Sequence, residues 1–155
     1  MLFRSFLDSW VMLKLTGENT PKLLGNNFYE NKFYEPTKVL NSEVYNRYLT
    51  DAIRGKDESI NQQSDAFNGA LNHGGGYSHV YMKTATMLWN LQYVLGDSLF
   101  SAAMKHYFNQ WKFCHPYFED FRNSIIQFTH VDLNWFFDEW METTKTIDYA
   151  VEGVN

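Results

Sequence analysis

The chain has 155 residues, 45% of them hydrophobic and 18% aromatic, a composition that builds a packed core and excludes a disordered protein. Thirteen Lys and Arg against 18 Asp and Glu give a formal charge of −5 without a basic cluster, which argues against nucleic acid and anionic membrane as partners. One cysteine, Cys114, excludes an internal disulfide; between Phe113 and His115 at a helix end it reads as a packed thiol rather than a nucleophile.

The opening stretch "MLFRSFLDSWVMLKL" sets Arg4 before apolar residues, as a signal peptide does. Asp8 and Lys14 interrupt the run and no small-residue cleavage site follows, so it does not read as a leader. Nor does any segment approach the ~20 apolar residues of a membrane span, and the expectation is a soluble chain. The spacing of Phe3, Phe6, Leu7, Trp10 and Leu13 predicts an amphipathic helix from Phe3 to about Leu15, stopped by Gly17. From Gly25 to Pro36, "GNNFYENKFYEP" mixes rings with polar residues without a period and reads as an ordered loop with its rings inward. A base-stacking platform would need positive charge that is missing there.

A second helix is predicted from about Asn41 to Ile53, with Val44, Tyr45, Tyr48, Leu49 and Ala52 on its inner side and Gly55 after its end. The polar run "KDESINQQSDAFNGA", Lys56 to Ala70, reads as a surface excursion with little core. Then comes "NHGGGYSHVYMKTATML", Asn72 to Leu88, with the only dense cluster of glycines. Its HGGG, His73 to Gly76, matches the oxyanion loop of lipase-type hydrolases, but the chain has no G-x-S-x-G and no alternation of strands and helices. The glycines therefore predict close packing at a helix entrance. Tyr81 stands in the first turn of the helix behind them, and a phenol there is an uncharged hydrogen-bond donor.

Four helices follow in quick succession. The first carries Tyr81, Ala85, Leu88, Trp89, Gln92 and Leu95 at spacings of three and four and stops at Gly96. Asp97 is the expected N-cap of the next, which aligns Phe100, Ala103, Met104, Tyr107, Phe108 and Trp111. Pro116 opens a third with Phe118, Phe121, Ile125 and Phe128 inward, and Asp132 caps a fourth with Leu133, Phe136, Phe137, Trp140 and Met141. Short links predict a mainly α, antiparallel helical array. The tail "TTKTIDYAVEGVN" shifts to an alternation at Ile147, Tyr149 and Val151, the pattern of a short C-terminal strand. The predicted organisation is a helical subdomain over 1–142, most ordered over 77–142, with 143–155 a linker or strand toward a following domain.

His73, His79, His106, His115 and His130 form no H-E-x-x-H pair, so the chain is not expected to hold zinc by itself, and most of these histidines are expected at the surface or at helix ends. Glu119 and Asp120 suit the N-terminal end of a helix, and no pair of acids is singled out for glycoside hydrolysis.

From about Tyr77 to Val151 the sequence resembles the end of the catalytic domain in aminopeptidase N-type zinc metallopeptidases, a thermolysin-like (gluzincin) family. Tyr81-Met82-Lys83 matches a Y-x-K at a helix start, followed in order by Leu95-Gly96, Pro116, Asp120-Phe121 and the run from Asp132 to Trp140. The resemblance implies that Tyr81 supplies a hydrogen bond to the oxyanion of peptide hydrolysis and that Tyr77 corresponds to a second, substrate-binding tyrosine, although its spacing to Tyr81 is one residue short. Thr84 replaces the glycine that often follows the motif. The segment "RSFLDSWVML" corresponds to the family's L-D-E-G-F and puts Ser9 where the third zinc ligand stands; the substrate-amine motif G-x-M-E-N is absent. The resemblance thus implies the C-terminal helical half of a catalytic domain whose zinc-binding motif lies outside this chain, by truncation, gene splitting or degeneration. Peptide is a substrate only if that half is supplied. The alternative is a non-catalytic helical interaction module derived from the same family.

Overall fold

The computed structural model describes residues 3–19, 38–63, 66–67 and 78–145. Helix α1 spans Arg4–Thr16. A π-helical turn, Asn41–Tyr45, runs into α2, Asn46–Ile53, and a second one, Ser78–Lys83, runs into α3, Thr84–Leu95. Helices α4, Asp97–Trp111, and α5, Phe118–Thr129, follow. The short α6, Asn134–Phe137, continues as a third π turn, Asp138–Glu142. Among the described residues the only β pairing is an isolated bridge between Asn19 and Lys38. The chain is mainly α, as its periodicity predicts; the expected strand at Ile147 to Val151 lies outside the described residues, as do the Gly25 to Pro36 loop and the glycine loop.

The array is built around α3, the most apolar helix. It packs against α1 on one side and α4 on another, while α4 pairs with α5. The π turn Ser78–Lys83 lies against α1 and α2. Leu88, Leu91, Ile125, Leu133 and Phe137 are completely buried in one cluster that also holds Phe6, Phe100, Phe121 and Met141. Rings fill it edge to face: Tyr107 meets Phe121 at 5.0 Å between centroids and an interplanar angle of 83°, the offset geometry that aromatic quadrupoles favour.

Gly96 explains the abrupt step from α3 to α4. Its φ of 75° and ψ of 158° lie in a region closed to side-chain-bearing residues, so one residue ends one helix and begins the next. Because Gly96 takes the N-cap position, Asp97 does not cap as expected; its carboxylate accepts from Gln92 Nε2 at 2.9 Å. Pro116 likewise lies before the helix it was expected to open. Helix α5 starts at Phe118, and Asp120 Oδ2 reaches back to the Tyr117 N–H at 2.7 Å. Asp132 does not take the N-cap position either: Leu133 does, and the Asp132 carboxylate, one residue earlier, accepts the Asn134 N–H at 3.1 Å.

Several other expectations are corrected. Leu7 (52% exposed) and Trp10 face outward because, among the described residues, α1 packs mainly against α3 and the two π turns beside it, a narrower contact than its apolar stripe. Leu49 and Phe108 are outward too, Phe108 at 65%. Cys114 is exposed, not packed, because the α4–α5 corner turns outward at Phe113 with a φ of 68°. The polar run from Lys56 is no mere surface excursion: Ile60 and Phe67 are buried, and the Ile60 N–H donates to the Met141 carbonyl at 3.2 Å. No helix among the described residues is long and apolar enough to cross a membrane.

Candidate functional site

Tyr81 sits within the π turn Ser78–Lys83, half-buried, on the wall of a cavity of about 230 Å³. Ser9 of α1 lines the same cavity, with Arg4 and Asp8 from α1, Arg47 from α2, and Val44 and Met82 beneath. A π turn holds one more residue than an α turn, which re-aims the side chains on it, and such turns concentrate at functional sites. The structure therefore brings together two of the residues singled out from sequence, Tyr81 and Ser9, from opposite halves of the chain. Tyr77 lies outside the described residues.

Ser9 is 2% exposed and hydrogen-bonded on both sides. Its hydroxyl donates to the Phe6 carbonyl at 2.9 Å and accepts the Trp89 Nε1–H at 3.0 Å. Asp8 beside it is exposed, with Arg4 Nε 3.6 Å from its Oδ2.

Behind Tyr81 lies a group that sequence reasoning missed. The Lys83 ammonium, 1% exposed, donates to Asp57 Oδ2 at 2.9 Å, to the Glu58 carbonyl at 2.9 Å and to the Thr143 carbonyl at 3.1 Å. His79, also buried and so not at the surface as expected, has Nε2 3.0 Å from the Lys56 carbonyl and 3.7 Å from Asp57 Oδ1. Since a carbonyl only accepts, Nε2 is the donor in this contact, and Nδ1 is buried without a hydrogen-bond partner. Phe67 stacks on the ring at 5.8 Å. One sequence signal could have exposed Lys83: with Met87 and Leu91 it steps by four along the buried stripe of α3. Nothing distinguishes Asp57 within its polar run. The other described histidines, His106, His115 and His130, are exposed as expected.

The comparison with family models matches residues 8–140 to the peptidase family M1 domain. The chain belongs to peptidase family M1. No curated protein and no solved structure matches it. The match begins at Asp8 in α1, and so takes in Ser9 as well as the Tyr81 turn and all later helices.

Family M1 peptidases are zinc-dependent, and the donor set of this M1 chain can be tested for that ion. Zinc takes thiolate, imidazole or carboxylate ligands, usually three from the protein at a catalytic centre. Among the described residues no three His, Cys, Asp or Glu come close enough to hold a metal. Ser9 offers a neutral hydroxyl already committed to two partners. The described residues do not fit the ion.

Proposed function

We propose that this M1 chain is the helical part of an aminopeptidase site, in which Tyr81 donates a hydrogen bond to the oxyanion formed when a peptide bond is hydrolysed. The carrying observation is that Tyr81 and Ser9 line one cavity. A phenol at the wall of a cavity can donate a hydrogen bond to a developing negative charge, and such a donor, fixed in place beforehand, lowers the barrier. The zinc ligands would have to come from residues outside those described, since the sequence contains no H-E-x-x-H and Ser9 replaces a carboxylate at the matching position. The helical unit over 1–142, with 143–155 leading toward a following domain, belongs to the same proposal, as does Tyr77 as a substrate-binding residue.

Ser9 supports a second reading, a non-catalytic module that kept the M1 packing and lost the chemistry. Metal analysis and kinetics separate the two. The purified chain alone should carry far less than one zinc; a stoichiometric ion per chain would overturn the assignment of the ligands elsewhere. In an assembly that supplies those ligands, Tyr81→Phe should lower kcat by on the order of 100-fold or more and leave KM little changed. An unaltered kcat would remove Tyr81 from the mechanism, and failure of every such assembly to cleave an aminoacyl reporter would favour the module.

A further inference from the structure

Lys83 is a fully buried cation that the proposed chemistry does not use. An ammonium has three N–H donors, and here all three are satisfied, by Asp57, Glu58 and Thr143. These acceptors belong to two segments far apart in the chain, which are also stitched to each other. Ser59 Oγ donates to the Met141 carbonyl at 2.6 Å, and Asn61 Nδ2 to Glu142 Oε1 at 2.5 Å. His79 ties the start of the Tyr81 turn to the Lys56 carbonyl, and Lys83 ties its end. The turn Ser78–Lys83 is thus held at both ends against the 56–61 segment.

We propose that Lys83, held by Asp57, is the positioning residue that keeps this turn π-helical and so keeps Tyr81 at the wall of its cavity; its consequence for catalysis rests on the reading of Tyr81 given above. A π turn could relax by letting its extra residue slide into the α register. Each such step rotates the residues concerned by about 100° around the axis. For Lys83 that rotation would pull the ammonium from three acceptors and leave both it and the Asp57 carboxylate, 5% exposed, buried without their partner. Breaking a buried pair in that way is strongly unfavourable, so the register is locked.

Carbon NMR on the full chain carrying ring-labelled tyrosine tests this, with the Tyr81 signal identified by its loss in Tyr81→Phe. In Lys83→Met the Tyr81 signal should move by more than its linewidth while that of Tyr107, in the core between α4 and α5, stays in place. A merely structural loss would move both, and an unmoved Tyr81 signal would overturn the proposal. If Lys83→Met does not fold, Asp57→Asn, which keeps shape and an acceptor but not the charge, is decisive by the same comparison. In the unsubstituted chain the Val80 to Lys83 amides should exchange with solvent as slowly as those of α3, and rapid exchange confined to the turn would also overturn it. These outcomes are separable from the catalytic reading. An unchanged kcat in Tyr81→Phe discards the chemistry and leaves the positioning intact, whereas an unmoved Tyr81 signal does the reverse.

Discussion

Ser9 makes two hydrogen bonds that a carboxylate could not both make. Its hydroxyl donates to the Phe6 carbonyl, and an ionised carboxylate has no proton to give. Its lone pair accepts from the Trp89 indole, which joins α1 to α3. The side chain at this position is therefore part of the packing, whatever the chemistry at the cavity. Ser9→Ala should lower unfolding stability by about 1–3 kcal/mol, because Trp89 Nε1 loses its acceptor in a largely dry contact. Ser9→Glu should cost more, by setting a charge against a carbonyl. Urea unfolding measures both, and an unshifted midpoint in Ser9→Ala would show that the indole finds another partner. Ser9 and Tyr81 were both legible as individual residues. That they line one cavity was not, since they come from α1 and the turn before α3, and only packing brings those elements together.

The helices and their interruptions form the next scale. Starts and stops were readable wherever one residue type controls the backbone: Gly17 ends α1 and Gly96 ends α3, each at positive φ. The π turn Ser78–Lys83 was not readable, because the partners that Lys83 finds there lie far along the chain and leave no local signal. The α4–α5 corner holds the clearest local strain. Phe113 has a φ of 68° and is 100% exposed, so its ring gains nothing from packing to offset a left-handed backbone. Phe113→Gly should therefore raise stability, by ~1 kcal/mol after the extra flexibility of glycine in the unfolded chain is counted. A thermal melt checks this, and a lowered midpoint would mean that the phenyl ring makes a stabilising contact.

At the scale of the whole molecule, the aromatic core makes the fold sensitive to alkali. Tyr48, whose ring lies 5.8 Å from Trp140, is pushed up to about 12, first by burial and then by the Asp57 carboxylate. Burial also raises Tyr45, and burial followed by Asp120 raises Tyr107. The folded state thus keeps these protons to higher pH than the unfolded chain, whose phenols ionise near 10. Stability is fully present below pH 10 and is lost as pH rises through that value toward 12. Urea midpoints across this window should fall, and fall less steeply in Tyr48→Phe; identical slopes would mean that Tyr48 does not contribute.

The sequence by itself determined the helical class, the order of most helices, the apolar stripes of α3, α5 and α6, and the ordered motifs that agree with membership of family M1. Each of these depends on residues within a turn or two of one another, where a 3.6-residue repeat or a single glycine is enough to decide the outcome. Tertiary structure alone decided that Leu7, Trp10 and Phe108 face outward, that His79 is buried and the Asp57 carboxylate is shielded from water, and that Lys83 fastens the turn carrying Tyr81. Those outcomes turn on which surfaces meet and on whether a charge removed from water finds a partner, and that partner lies 26 residues away along the chain.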